Sequence, residues 1–250
     1  MIDAHIAFTG PYTYERLLEY IDKAMEQGLQ GIVILEPTHK FKECKVMYRE
    51  VCTTYPCQRE WFQSVNTNSI KDYQRFILEM RQKEFPIQVQ FGLEVCYFTQ
   101  HETFIRKLKS EFDYDVFIGC IHFLDNLAFA WIDHSHEMLW DKYNAGFLYR
   151  RYYEMMNAML TSQLFDGIAG FDTIKALKVP CKFKLDHTYH KLAMLLAKQK
   201  LYVEDDASLG YLYQHEDAGL SKPFLTICKE QGVIVKRVSN AQCLDDVGRF

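Results

Sequence analysis

Gly31-Ile32-Val33-Ile34-Leu35-Glu36-Pro37-Thr38-His39 is a short apolar run, rich in β-branched residues, that ends abruptly in an acid, a proline and a histidine. Without alternation and bounded by breakers, such a run reads as a parallel strand buried on both faces. The same pattern recurs along the chain. Ile2-Asp3-Ala4-His5-Ile6 comes first, with the strand expected over 2–8, and Val89-Gln90-Phe91-Gly92-Leu93-Glu94 and Val116-Phe117-Ile118-Gly119-Cys120-Ile121-His122 repeat it. Phe165-Asp166-Gly167-Ile168, Leu201-Tyr202-Val203-Glu204-Asp205-Asp206 and Val233-Ile234-Val235 complete a series of seven. Each finishes in polar or ionisable groups, and in parallel α/β folds chemistry gathers at the carboxyl ends of the strands.

Helical patterns separate the strands. Thr13 reads as the N-cap of a helix reaching about residue 27, with Leu17, Leu18, Ile21, Ala24 and Met25 on one face and Gly28 as its stop. Residues 40–66 read as a broken helix and loop, Ser69 as a second cap, 102–112 as a helix and 124–141 as a loop. Helices over 143–164, 187–199 (capped by Asp186) and 221–231 (capped by Ser221) complete the alternation, which predicts parallel α/β architecture. Seven units over 250 residues point to one barrel-sized domain spanning 1–250.

Composition narrows the function. A net charge of -4 with no basic stripe gives no nucleic-acid footprint, and no apolar run approaches a membrane span. The eight cysteines include no Cys-x-x-Cys pair and read as reduced thiols of a cytoplasmic protein. Side chains two apart on a strand share a face, so His5, Glu94 and His122, at three strand ends, form a candidate ligand set for a divalent metal. Glu204-Asp205-Asp206 reads either as a hard-metal feature or as the start of a loop, and His134-Ser135-His136 as a solvated loop. The glycines at 167 and 170 lack the spacing of a phosphate-binding fingerprint.

With these pieces placed, the chain resembles the polymerase-and-histidinol-phosphatase (PHP) family, on its histidinol-phosphatase-like side. The resemblance runs through Asp3-Ala4-His5, Leu35-Glu36 with Thr38-His39-Lys40-Phe41, and Gly92-Leu93-Glu94-Val95-Cys96-Tyr97-Phe98. It continues through Ile118-Gly119-Cys120-Ile121-His122-Phe123, Asp172-Thr173-Ile174-Lys175, Ser239-Asn240-Ala241-Gln242 and the closing Asp245-Asp246-Val247-Gly248-Arg249-Phe250. It implies a distorted seven-stranded (β/α) barrel of the PHP type and metal-dependent hydrolysis of a small phosphorylated molecule, with zinc, manganese or iron as the metal. His5, Glu94 and His122 match the family's ligand pattern. Ala7, Pro37, Gly170, Asn240 and Gln242 stand where that pattern has further ligands. Alanine, glycine and proline side chains offer a metal no lone pair, so the expected site holds one ion at most. In an active enzyme, Lys40 or Arg237 would neutralise the phosphate and His39 would act in acid-base catalysis. The alternative is a barrel without phosphatase activity that binds a small molecule or a protein.

Overall fold

The expected strands form and pair in parallel in the computed structural model, which describes residues 1–250. In chain order the elements are β1 (Ile2–Ile6), α1 (Tyr14–Glu26), β2 (Gly31–Pro37), α2 (Val51–Thr54), α3 (Pro56–Val65), α4 (Ile70–Met80), β3 (Gln88–Cys96), α5 (Glu102–Ser110) and β4 (Val116–Cys120). There follow β5 (Phe123–Leu124), β6 (Leu127–Ala128), α6 (Ala145–Thr161), β7 (Gly167–Ile168), α7 (Asp186–Gln199), β8 (Tyr202–Asp206), α8 (Ser208–Tyr211), α9 (Lys222–Glu230) and β9 (Ile234–Val238). The large sheet runs β1-β2-β3-β4-β7-β8-β9, a seven-stranded α/β barrel. Every residue of β2 is buried, as its unbroken apolar run requires. No helix is long and apolar enough to cross a membrane.

The barrel is nearly closed. At its seam β1 meets the segment just after β9 through a parallel bridge between Ile6 and Ala241, with Ala7 N–H donating to Ala241 O at 2.9 Å. The buried Asp3 carboxylate staples the same seam. It accepts from Ser239 N–H (3.0 Å), Ser239 Oγ–H (2.5 Å) and Gly248 N–H (3.0 Å). Its charge is thus spent on backbone and hydroxyl donors.

Local chemistry sets most element boundaries. Thr13 Oγ1 accepts from Arg16 N–H at 3.2 Å, and Ser69 Oγ from Lys71 N–H at 3.2 Å, as capping residues do. Four departures from the sequence expectation have a local physical reason. The first strand stops at Ile6 rather than 8, because its register shifts after Asp3 and the chain turns toward Ala241. Asp186 is the first helical residue of α7, where its charge favours the helix dipole, and Leu185 occupies the cap position. Ser221 holds the N-cap position of α9 as expected, but its side chain bonds no helix N–H; its Oγ reaches Tyr189 Oη at 3.4 Å and its N–H donates to Asp172 Oδ2 at 2.8 Å. The fourth difference matters most for function. Residues 124–141 are not a simple loop: β5 and β6 form a hairpin turned at Asp125 and Asn126, both at positive φ, and a π-helical turn spans His136–Trp140. Gln58 of α3 pins this hairpin, donating to Asn126 O (2.9 Å) and accepting from Ala128 N–H (2.8 Å). The hairpin therefore lies over the strand ends.

Candidate metal centre

β3 and β4 are neighbours in register, with Glu94 paired to Ile118 and Cys96 to Cys120. Glu94 lies near the carboxyl end of β3, Cys120 ends β4 and His122 follows two residues on. Glu94 Oε1 lies 3.3 Å from His122 Nε2, and Cys120 Sγ lies 3.1 Å from the same nitrogen. The three donor atoms fall within 4.8 Å of one another, and no other group of three His, Cys, Asp or Glu does so. Burial works against charge on Glu94, yet the adjacent His122 holds its carboxyl far below the usual range. Burial likewise pulls His122 down, but Glu94 prevails and raises the imidazole to about 9. Burial, Cys96 and the Glu94 charge push the Cys120 thiol well up.

His5 lies outside this group. Its Nδ1 lies 2.7 Å from Glu204 Oε2, and both side chains are buried. Burial alone would depress His5, but Glu204 raises it to about 10, while burial pushes Glu204 up to about 7. Glu204 Oε1 is a buried carboxylate oxygen without a hydrogen-bond partner. The neighbouring Asp206 accepts from Ser208 N–H (2.9 Å) and from Asn240 Nδ2–H (2.8 Å). The acid run at 204–206 is therefore divided: Glu204 and Asp206 are buried, and Asp205 pairs with Arg237.

Glu36, at the end of β2, is fully buried. Its Oε1 accepts from Phe8 N–H at 2.7 Å and from Lys40 Nζ at 3.0 Å, and its Oε2 accepts from Tyr12 Oη–H at 2.6 Å. Lys40 also donates to Phe8 O at 2.9 Å. Arg237 Nη1 donates to Asp205 Oδ2 at 2.8 Å and to Ala218 O at 2.7 Å. Both cations are thus held by protein oxygens. Gly170 has φ +62, and a Cβ there would lie 2.6 Å from Thr173 Oγ1. Asn240 also adopts positive φ, at 53°, which asparagine tolerates.

His122 and His39 share a cavity of about 380 Å³. Trp61, Phe123, Trp131, Ile132 and Tyr213 supply much of its apolar wall, Gln58 and Asp133 its other polar groups, and no Lys or Arg lines it. Burial drives His39 down to about 3, with His122 adding to the effect, so its imidazole is neutral. Its ring centroid lies 5.2 Å from that of Trp61. The structure thus groups Glu94, His122 and His39, and sets His5, Lys40 and Arg237 in separate pairs. Sequence reasoning missed Cys120, which the two-residue strand period relative to His122 would have revealed. It also missed the aromatic wall, because Trp61, Trp131 and Tyr213 arrive from remote segments that carry no motif. Of the other histidines considered, His134 packs on Trp131 with centroids 4.2 Å apart, and His136 is exposed. Between them the buried Ser135 ties its own turn together, bonding Ala128 O and Trp131 N–H.

No family model matches the chain. A curated relative named "Probable histidinol-phosphatase", from Deinococcus radiodurans, is 26% identical over 163 residues, covering 63% of this chain and 54% of the relative. The match therefore spans about half of the relative's length. The solved structure of the HisK protein of Listeria monocytogenes superposes over 100% of this chain and 98% of its own, with a TM-score of 0.75 at 15% identity. The chain shares the barrel fold of this solved structure. A second structure of that kind is the histidinol phosphate phosphatase of Lactococcus lactis, solved with zinc, L-histidinol and phosphate. It superposes over 99% of this chain and 86% of its own, with a TM-score of 0.65 at 12% identity. A chain of archaeal ribonuclease P, solved with mature tRNA, shows a more distant likeness (TM-score 0.51, 11% identity, 99% and 77% covered). At these identities the structural likenesses speak for the fold. The barrel must be read for function from its own site.

Proposed function

We propose that this chain is a phosphomonoesterase-type histidinol-phosphatase-like barrel whose metal centre is reduced to a single divalent ion. The observation that carries this reading is that the protein's own donors already engage the surrounding acids. Lys40 and two hydrogen-bond donors fill Glu36, His5 answers Glu204, and the Asn240 amide answers Asp206. A multi-ion centre needs such groups as ligands to offset its charge. Ala7, Pro37, Gly170 and Gln242 add no charge to the ring. Only Glu94 and His122, with Cys120 beside them, still converge. Zinc is the ion seen in the Lactococcus lactis structure, and zinc, manganese and iron are the candidates here.

A divalent ion at this place would supply Lewis acidity and lower the pKa of a water for attack on phosphorus. His39 shares the cavity and is held neutral by burial, which places it near such a water and also makes it a weak base. Lys40 and Arg237 would have to leave their present partners to reach a phosphate. Turnover should therefore be slow. We expect zinc- or manganese-dependent hydrolysis of a small phosphomonoester at least about 100-fold below that of the Lactococcus lactis relative assayed alongside, since charge stabilisation at the reacting oxygens is mostly lost. It should vanish in His122→Ala.

The lining of the cavity favours a second reading, a non-hydrolytic binding module. An aromatic wall without a cation suits an apolar or aromatic small molecule better than a phosphate dianion. No turnover with any divalent ion, together with saturable quenching of Trp61 and Trp131 fluorescence by such a molecule, would decide for this alternative.

A further inference from the structure

We infer that Cys120 is the third ligand of the single-ion centre, giving a mixed Glu94–Cys120–His122 site for a zinc-class ion. This rests on the single-ion reading above and replaces His5 as the third protein donor. Three observations converge on it. First, the geometry fits. Donors around a tetrahedral zinc with bonds of about 2.0–2.3 Å stand roughly 3.3–3.7 Å apart. The His122 nitrogen already lies 3.3 Å from Glu94 Oε1 and 3.1 Å from Cys120 Sγ. These two separations lie within a few tenths of an ångström of the tetrahedral range, and all three donor atoms fall within 4.8 Å of one another. Second, two adjacent strands hold two of the donors: Cys120 ends β4 and Glu94 sits on the neighbouring β3, with His122 two residues past the end of β4. Sites on regular elements are held more precisely than sites on loops. Third, His122 lines the cavity, so the fourth position of a three-ligand ion would face a space that admits a small molecule.

The donor chemistry selects the ion. One thiolate, one imidazole and one carboxylate suit zinc or cobalt and disfavour magnesium or calcium. Glutamate and thiolate bring two negative charges, which balance a divalent cation in a site where Cys120 is 2% exposed. The thiol proton leaves to solvent as the metal–sulfur bond forms. His5 is meanwhile held by Glu204 at 2.7 Å, outside the group of three.

The test is spectroscopic and independent of turnover. Full-length protein is stripped with chelator, kept reduced with a phosphine, and titrated with Co²⁺. A thiolate-to-cobalt charge-transfer band in the near ultraviolet is expected for the wild type and for Cys96→Ser, and its loss for Cys120→Ser. Cobalt uptake without the band would overturn the thiolate ligand and leave the single-ion reading standing. Absence of uptake would overturn both. A band that survives in Cys120→Ser, or disappears in Cys96→Ser, would also contradict the assignment. Should Cys120→Ser fail to fold, X-ray absorption of the zinc-loaded wild type decides the same point: one sulfur at about 2.3 Å is expected, and a shell of nitrogen and oxygen only would exclude it.

Discussion

Replacing Glu36 with alanine should destabilise the barrel by about 3–5 kcal/mol, the range for breaking a buried charge pair from one side. The carboxylate is fully buried and takes three donors: Phe8 N–H, Tyr12 Oη–H and Lys40 Nζ. Its removal strands the Lys40 ammonium, whose side chain is 19% exposed, with Phe8 O as its one remaining partner. It also leaves Phe8 N–H without an acceptor where β1 runs into α1. Tyr12 keeps its bond from Asn68 but loses its acceptor. Glu36→Gln should be milder, about 1–3 kcal/mol, because the amide oxygen still accepts while its NH₂ faces a donor. Denaturant unfolding measures both variants, and the thermal midpoint of Glu36→Ala should fall by roughly 10 °C. A Glu36→Ala protein as stable as the wild type would show that this carboxylate is not neutralised in the fold, which would reopen it as a metal ligand.

Gly92→Ala should be more damaging still, costing more than about 4 kcal/mol and leaving little soluble protein, as backbone-level clashes in a core do. A Cβ at Gly92 would lie 2.0 Å from Val116 O and 2.8 Å from Leu35 Cδ2. The first contact is with backbone, so no side-chain rotation relieves it. β3 and β4 would have to separate at the pairing of Gly92 with Val116, which also sets Glu94 opposite Ile118 and Cys96 opposite Cys120. Tyr73 adds to the constraint by donating to Gly92 O at 3.1 Å. The contrast is Gly28→Ala, where an added Cβ meets nothing within 4 Å and the positive φ alone costs about 1–2 kcal/mol. Equal solubility of the two variants would contradict the close approach of β3 and β4.

The barrel was legible because its evidence is local and repeated. The uninterrupted run of β2 could be satisfied only by burial on both faces, and the Thr13 and Ser69 caps announced their helices through hydroxyls that do bond the first turn. What was not legible depends on contacts distant in sequence. The hairpin at Phe123–Ala128 has two-residue strands, too short for any period, and is held in part by Gln58, about 70 residues away. The candidate centre was half visible. Glu94 and His122 declared themselves as polar strand ends, whereas Cys120 read as one more buried apolar residue. His5 carries the same strand-end signal as His122, yet it is held by Glu204, 199 residues along the chain. Each pairs with an acid, and only the folded barrel shows that His122 lines the cavity while His5 is buried away from it.

The most direct measurement is metal stoichiometry. Protein purified without chelator or affinity metal would be equilibrated with excess zinc, freed of unbound ion and analysed by elemental mass spectrometry. One zinc per chain, falling to none in His122→Ala, is the result expected of a centre reduced to Glu94, Cys120 and His122. Two or three ions per chain would mean that the buried acids around Glu36, Glu204 and Asp206 give up their present partners to metal. No ion at all would mean that the strand-end trio is a hydrogen-bonded cluster and nothing more.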